Sequence, residues 1–485
     1  MENIFIKNRK FAIYFLVFLS FFLALFRFTS TPKVWVDEGV FTNIARNLED
    51  NGVIGIQTSP GNVSEVKGWV LSSSYPVLFP VALSFKLFGV GIWQARLPMV
   101  IYVLLFLFAS YLFVRKRYGD YPAFLSTLLL LSFAPLYGNG RPVQGEVPGL
   151  FFLVLGSYFL LILEEKNYNS TKFSLLSGLA FGLSCATKAI YLTFISVSLI
   201  IALVIWYKKI NNKTILYFSL GFCIPILLWF FMHFPTIKLM SGMVGSYLYF
   251  AGNHSSDLSK SIIIWNNFKR FFTESTPILF SFISFFVLSS IYIRFYKQKD
   301  NVVTISEFII FSFIFLNWAG YLNGTGWYRY FFPANTLLYI VFIGSVLSLV
   351  KFFKNRILIN LLAIIPIALV VFQFYYLVFL SDVSFVVNRT RNSELASVLG
   401  NISVNKSVLF YNSIETIVFL KSDNYFQYLQ MDDFLVVGDE KSLSKPGPDF
   451  ILTDKSQRGN VALSCYTERP LSQYYFLEKT TKCKI

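Results

Sequence analysis

Apolar runs separated by short polar gaps follow one another from residue 11 to residue 380. Their lengths predict membrane-spanning helices over residues 11–28, 97–114, 121–137, 147–163, 173–188, 189–207, 214–232, 276–296, 303–322, 332–350 and 357–380, about eleven in all. Residues 35–48 follow another pattern. Val40, Phe41, Ile44 and Leu48 recur at helical spacing and Gly52 follows as a stop. This predicts a short amphipathic helix lying on the membrane surface, with Asp37 and Glu38 in its first turn, where the helix end favours ionised carboxylates. Residues 51–74 and 233–275 are polar and read as loops.

Residues 75–89 are apolar for about 15 residues, short of the roughly 20 that a span takes. Counted as a span, they would place Arg115, Lys116 and Arg117 outside, against the charge rule, so they predict a second interfacial helix. Beyond residue 380 the chain turns polar. Short β-like runs at 407–411 and 449–453, with Pro446, Gly447 and Pro448 between them, predict a small α/β domain. The expected architecture is an all-α polytopic membrane domain over 1–380, with 34–95 as its first outer loop carrying the juxtamembrane helices. A small C-terminal α/β extracytoplasmic domain follows over 381–485.

Composition agrees with this layout: 55% of the 485 residues are hydrophobic and 14% charged. The net charge of +16 would suit a nucleic-acid partner, but the basic residues gather in alternate gaps, such as Arg115 to Arg117, Lys208 with Lys209, and Arg294 with Lys297. That is the positive-inside pattern; it places the N-terminus in the cytoplasm and the C-terminal domain outside the cell membrane, with membrane lipids and not nucleic acid as the surroundings. No small-residue cleavage site follows the first apolar run, so it is expected to stay as an anchor. Cys185 and Cys223 fall in apolar segments and read as packing residues, while Cys465 and Cys483, if outside the cell, have the option of one disulfide. There is no CxxC pair, and His233 and His254 are the only histidines.

The polar residues that look out of place gather near the outer face. Asp37 and Glu38 begin the amphipathic helix, Arg141 and Glu146 join two spans, Lys188 ends another, and Arg329 closes an outer loop. Any one of them could be a solvated or snorkelling interfacial charge. Together, charges at membrane depth are costly and point to function. A carboxylate that deprotonates an acceptor hydroxyl, beside cations that stabilise a phosphate leaving group, suits transfer from a lipid-linked phosphate. No Walker or dinucleotide motif is present for a soluble nucleotide donor.

These residues resemble the C-type (GT-C) membrane glycosyltransferases, in particular the branch of lipid A aminoarabinose transferases and protein O-mannosyltransferases. Val36-Asp37-Glu38-Gly39 followed by Ile44-Ala45-Arg46 is similar to that family's first outer loop. Tyr75-Pro76 through Leu87-Phe88-Gly89, Gln94-Ala95-Arg96-Leu97-Pro98, Arg141 to Glu146, Gly182-Leu183 to Thr187-Lys188, and Tyr328-Arg329-Tyr330-Phe331-Phe332-Pro333 continue the likeness in order. The resemblance implies inverting transfer of a sugar from a polyprenyl-phosphate donor to a lipid, glycan or protein acceptor on the outer face. It implies Asp37 as the acceptor-activating base, Glu38 and Glu146 as acceptor-orienting or supporting acids, Lys188 and Arg329 as donor-phosphate ligands, and Arg96 and Arg141 as structural support. The chain departs from the family in carrying Ser74-Tyr75-Pro76-Val77 where His-Pro-Pro or Lys-Pro-Pro is frequent, which removes a charged or metal-capable residue and leaves any divalent metal open. Glu146 stands where aspartate is more usual. Two other readings are a polyprenyl-linked sugar flippase, which would show flux without covalent transfer, and a receptor or scaffold, which would tolerate changes at Asp37 and Glu38.

Overall fold

A computed structural model describes residues 8–65, 72–234, 236, 259–297, 303–353, 356–386, 391–431, 435–437, 447–455 and 465–480. The chain forms two compact units, neither continuous in sequence. One is helical and comprises Met1–Phe26, Ile101–Gly140 and Gly145–Val386; the other comprises Arg27–Val100, Arg141–Gln144 and Val387–Ile485 and contains the sheet.

The helical unit contains α1 (Arg9–Leu25), most of α4 (Ile92–Tyr118), α5 (Asp120–Leu131), α6 (Ala134–Gly140), α7 (Glu146–Glu165), α8 (Thr171–Thr187), α9 (Ala189–Trp206), α10 (Asn212–His233), α11 (Lys260–Thr273), α12 (Ser275–Lys297), α13 (Ile305–Leu322), α14 (Tyr328–Phe352) and α15 (Arg356–Tyr375). Among the described residues, eight helices are long and apolar enough to cross a membrane, and the pair α5–α6, bent by 65°, makes a ninth. Helices α1 and α8 have 17 residues each, about 25 Å of rise, and fall just short on length.

Apolar on all sides, α14 is the buried centre of this unit, whereas few residues of α9, α10 and α15 are buried, as in helices facing lipid. Where α8 meets α10, backbones touch: a Cβ on Gly178 would stand 2.1 Å from Phe218 O, and one on Gly221 2.4 Å from Leu175 O. Such close approach through small residues is how helices associate without a hydrophobic driving force. The bend between α5 and α6 frees polar groups that the interior satisfies. Ser132 Oγ donates to Gln373 Oε1 at 3.1 Å, and Gln373 Nε2 donates to the Tyr339 hydroxyl at 2.6 Å. Helix α11 lies inside the region expected to be loop; it buries Ile263, Asn267 and Phe271, each four residues on, a period that the surrounding polar sequence hides. Cys185 is buried in α8, but Cys223 is exposed on α10 and packs no core.

The second unit holds α2 (Val36–Asn51), a hairpin β1 (Gly55–Ser59) and β2 (Asn62–Glu65), α3 (Tyr75–Phe88), the first turns of α4, α16 (Arg391–Leu399), and strands β3 (Val408–Tyr411), β4 (Tyr425–Met431), β5 (Leu435–Val437), β6 (Phe450–Asp454), β7 (Tyr466–Leu471) and β8 (Tyr474–Lys479). The six-stranded sheet runs β5-β4-β3-β6-β8-β7, with β3 parallel to β4 and β6 and the other pairs antiparallel. Leu409, Tyr411, Tyr428, Ile451 and Leu477 form the core on one face. The opposite face, with Tyr425, receives α2: Asn43 Nδ2 donates to the Tyr425 hydroxyl at 2.8 Å, and Arg46 Nη1 donates to Leu420 O at 3.0 Å.

Helix α2 is therefore not a surface helix. Glu38 through Asn47 are all buried, because its polar residues bond to the hairpin and the sheet instead of water. Its stop is as expected: Gly52 is left-handed at φ 67° and donates to Leu48 O at 3.2 Å. Cys465 precedes β7 and is disulfide-bonded. Cys483 and His254 lie outside the described residues.

Candidate active site

Asp37, Glu38, Arg96 and Arg141 lie in the sheet-containing unit, and Glu146, Lys188 and Arg329 in the helical one. In the first, the two acids of the α2 first turn are handled differently. Neighbouring helix residues point in different directions. Glu38 turns inward and is fully buried; Arg96 Nε and Nη2 hold its two carboxylate oxygens at 2.7 Å each. Arg96 Nη1 also donates to Phe28 O at 2.8 Å, which pins the segment entering α2. Arg141, equally buried, donates to Thr31 Oγ1 at 3.0 Å and Thr31 O at 3.3 Å in the same segment. Asp37 remains half-buried, with access to solvent, at the N-terminal end of the helix.

Gly39 completes the turn. A Cβ there would stand 2.3 Å from Glu415 Cα and 2.5 Å from Glu415 N, so only glycine lets α2 rest on the 3-10 helix Ile414–Phe419. The Glu415 carboxyl is buried behind that contact. Its Oε1 accepts a hydrogen bond from the Tyr474 hydroxyl, its Oε2 has no partner among the described residues, and burial raises its pKa. Glu415 was not legible as part of this arrangement, because more than three hundred and fifty residues separate it from Gly39.

In the helical unit, Lys188 sits in an extended conformation (φ −158°, ψ 142°) at the break between α8 and α9. The break aims its side chain at Glu146 in the first turn of α7, and the two form a buried ion pair. The Tyr191 hydroxyl donates to Glu146 O. Lys188 Nζ also lies 5.8 Å from the Tyr330 ring centre. Arg329 is half-buried with its guanidinium 4.8 Å from the Trp327 ring and 4.9 Å from that of Tyr330. Tyr330 thus joins Lys188 to Arg329, a link that no sequence spacing reveals.

The loop before Arg329 is held by α11: Asn267 Nδ2 donates to Gly324 O at 2.9 Å, and Arg270 Nη1 donates to Gly326 O. Asn317 enters the ladder of α14, donating to Tyr330 O at 2.9 Å and accepting from Ala334 N at 3.3 Å, where Pro333 loosens the helix. Among the described residues, no group of three or more His, Cys, Asp or Glu side chains converges as a metal site.

A half-exposed carboxylate on a helix end can accept a proton. A cation pair braced by aromatic faces can hold a phosphate.

A sequence model of the dolichyl-phosphate-mannose-protein mannosyltransferases matches residues 76–231, less than half of the chain. No curated protein matches by sequence. Among solved structures, the chain resembles ArnT from Cupriavidus metallidurans bound to undecaprenyl phosphate, with a TM-score of 0.65 at 10% identity over 97% of this chain and 98% of that one. Its apo form gives 0.64 at 12% identity over 96% and 97%. The Archaeoglobus fulgidus oligosaccharyltransferase in its apo form gives 0.59 at 10% identity over 92% of this chain and 69% of that one. At such identities the likeness is one of fold.

Proposed function

We propose, from the premise that this chain has the fold of the GT-C membrane glycosyltransferases and is related to the branch of ArnT, the protein mannosyltransferases and the archaeal oligosaccharyltransferase, that it is an inverting glycosyltransferase using a polyprenyl-phosphate sugar. The acceptor hydroxyl attacks the anomeric carbon as the bond from that carbon to the phosphate oxygen breaks. The proton passes to the Asp37 carboxylate, and polyprenyl phosphate leaves. Lys188 and Arg329 stabilise the charge on the departing phosphate. Glu146 orients Lys188, Glu38 with Arg96 fixes the turn that carries Asp37, and Arg141 supports its entry segment. The acceptor is a glycolipid, an envelope glycan or a protein.

The observation that carries this reading is the division of the α2 first turn: both oxygens of Glu38 are committed to Arg96, while half-buried Asp37 keeps access to solvent. The same reading gives about eleven spans, adding the bent pair and the 17-residue helices α1 and α8 to the eight long ones. The N-terminus is cytoplasmic, and residues 1–380 form the catalytic membrane domain. Residues 381–485 form the extracytoplasmic domain.

The test is transfer of label from a panel of radiolabelled polyprenyl-phosphate sugars to membrane-extract acceptors, with purified wild type beside Asp37→Asn. Asparagine keeps the shape and loses the base, so turnover should fall by about 10²–10⁴-fold with donor binding intact. Near-normal turnover by Asp37→Asn would remove Asp37 as the base. Donor binding with sugar flux across vesicles and no transfer would favour a flippase.

A further inference from the structure

The helical unit holds a second charged cluster that transfer chemistry does not use. Arg117 and Tyr118 end α4, Arg294 lies near the end of α12, and Glu307 is in the first turn of α13. Arg117 Nη2 donates to Glu307 Oε2 at 2.8 Å, Arg294 Nη1 donates to Oε1 at 3.2 Å, and the Tyr118 hydroxyl donates to the same Oε1. Glu307 Oε2 also accepts from Thr304 N at 3.2 Å in a capping box. Nearby, Glu164 Oε1 accepts from Ser306 N at 2.8 Å.

The carboxylate of Glu307 is therefore satisfied, but Arg294 is not. Its Nε and Nη2 are buried without a hydrogen-bond partner among the described residues, on a side chain only 8% exposed. These two nitrogens form the edge of the guanidinium that takes two oxygens side by side. Arg96 uses the same edge to hold both oxygens of Glu38. Ser290, one turn earlier on the same face of α12, also has a buried Oγ without a partner. Buried donors of this kind are rarely left without an acceptor.

We propose that the open Arg294 edge is an oxyanion site, filled by the phosphate of a membrane phospholipid. A phosphate offers two oxygens to Nε and Nη2 and leaves a further one for Ser290 Oγ. The cluster sits where α4 ends and α13 begins, at helix ends that also carry the pairs Arg115–Asp120 (2.7 Å) and Lys116–Glu165 (2.6 Å). At the same end of α12, Tyr292, Phe295 and Tyr296 are largely exposed on its outer side, not on the buried Ser290–Arg294 face, and give an apolar surface for acyl chains beside the cluster. The site is independent of the transfer reading. That this lipid belongs to the cytoplasmic leaflet rests on the orientation proposed above.

Native mass spectrometry of the full chain in mild detergent tests this, with phosphatidylglycerol and inorganic phosphate added in separate arms. Wild type should retain a phosphatidylglycerol that resists detergent exchange. Arg294→Lys keeps the charge facing Glu307 but lacks the edge, and should weaken retention about tenfold. Ser290→Ala should weaken it about threefold. Transfer activity should be unchanged in both. Retention of inorganic phosphate but no lipid would overturn the lipid source. Wild type that carries neither, or a Ser290→Ala and an Arg294→Lys that both bind as wild type does, would overturn the oxyanion site. Should Arg294→Lys fail to fold, the wild-type and Ser290→Ala results decide alone.

Discussion

Replacing Gly39 with alanine sets the close approach of α2 to the 3-10 helix against ordinary helix propensity. In a helix interior, alanine is favoured over glycine by about 1 kcal/mol, so the default expectation is a more stable protein. At this position the new Cβ would stand 2.3 Å from Glu415 Cα and 2.5 Å from Glu415 N. Carbon atoms pack at about 3.5–4.0 Å, so α2 or the 3-10 helix beneath it has to move by more than about 1 Å. The obstructing atoms are backbone, and no rotamer change relieves them. Overpacking of this kind costs about 1–3 kcal/mol, which outweighs or at least cancels the propensity gain.

The functional effect should be larger than the effect on stability. Asp37 is two residues from the clash, and displacing a reacting group by about 1 Å can cost about 10²-fold in rate. Gly39→Ala should therefore lower kcat by that order and leave binding of the polyprenyl-phosphate donor intact, with Tm lowered or unchanged. Thermal unfolding of the purified chain, run beside the transfer assay, reads both. A Gly39→Ala protein with raised Tm and wild-type kcat would refute the close-approach argument and the placement of Asp37 built on it.

Breaking the Glu38–Arg96 pair from one side, as Glu38→Gln or Arg96→Met, leaves a buried charge uncompensated and should destabilise the protein by about 3–5 kcal/mol in thermal unfolding. The double change Glu38→Leu with Arg96→Met should recover much of that stability without recovering kcat; recovery of both would show that the pair does not position Asp37. Lys188→Met should lower kcat/KM for the donor by about 10–100-fold, with Lys188→Arg milder, whereas equal kcat/KM in all three proteins would remove Lys188 from the donor phosphate. The raised pKa of Glu415 fixes a sign for pH dependence: its stabilising contribution is present below the unfolded glutamate value of about 4.3 and is lost as pH rises through the folded value. Glu415→Gln keeps an acceptor for the Tyr474 hydroxyl and should flatten the dependence of Tm on pH, raising Tm on the neutral side; parallel wild-type and variant curves would contradict this.

What the sequence revealed and what it hid have the same physical root. A membrane span is specified by its own composition, so the spans over 97–114, 147–163 and 332–350 correspond to α4, α7 and α14. Helix α2 and its stop at Gly52 were legible from apolar spacing. Its burial was not, because Asn43, Arg46 and Asn47 read as a solvated face until strand β4 and the hairpin supply their partners. In the C-terminal region only β3 and β6 stood out, being apolar and buried. Strand β7 carries Glu468 and Arg469 on an edge, and β4 mixes Gln427 and Gln430 with aromatics, so neither shows an apolar run. The site residues were visible as charges, but their pairing was not. Nothing local says that Arg96 meets Glu38 while Lys188 meets Glu146, since each pair is closed by the packing of separate helices.

The Glu38–Arg96 pair also explains how adjacent acids can share one helical turn. Side by side in sequence, Asp37 and Glu38 would repel if both faced a common space. Helical geometry turns them apart, and Arg96 then neutralises Glu38 through two hydrogen bonds on both its oxygens. Buried ion pairs of this kind add little net stability, because desolvation offsets most of the attraction. Their contribution is conformational. The guanidinium that holds Glu38 also holds Phe28 O, and Arg141 holds Thr31, so the entry to α2 is fixed at two points before the helix begins. Gly39 then fixes its depth against Glu415. In the other unit, Glu146 restrains Lys188 while the aromatic rings of Trp327 and Tyr330 restrain Arg329, so cations on flexible stems are held in place. Fixing charges before substrate arrives is what electrostatic catalysis requires, since a group already oriented needs no reorganisation as charge develops in the transition state.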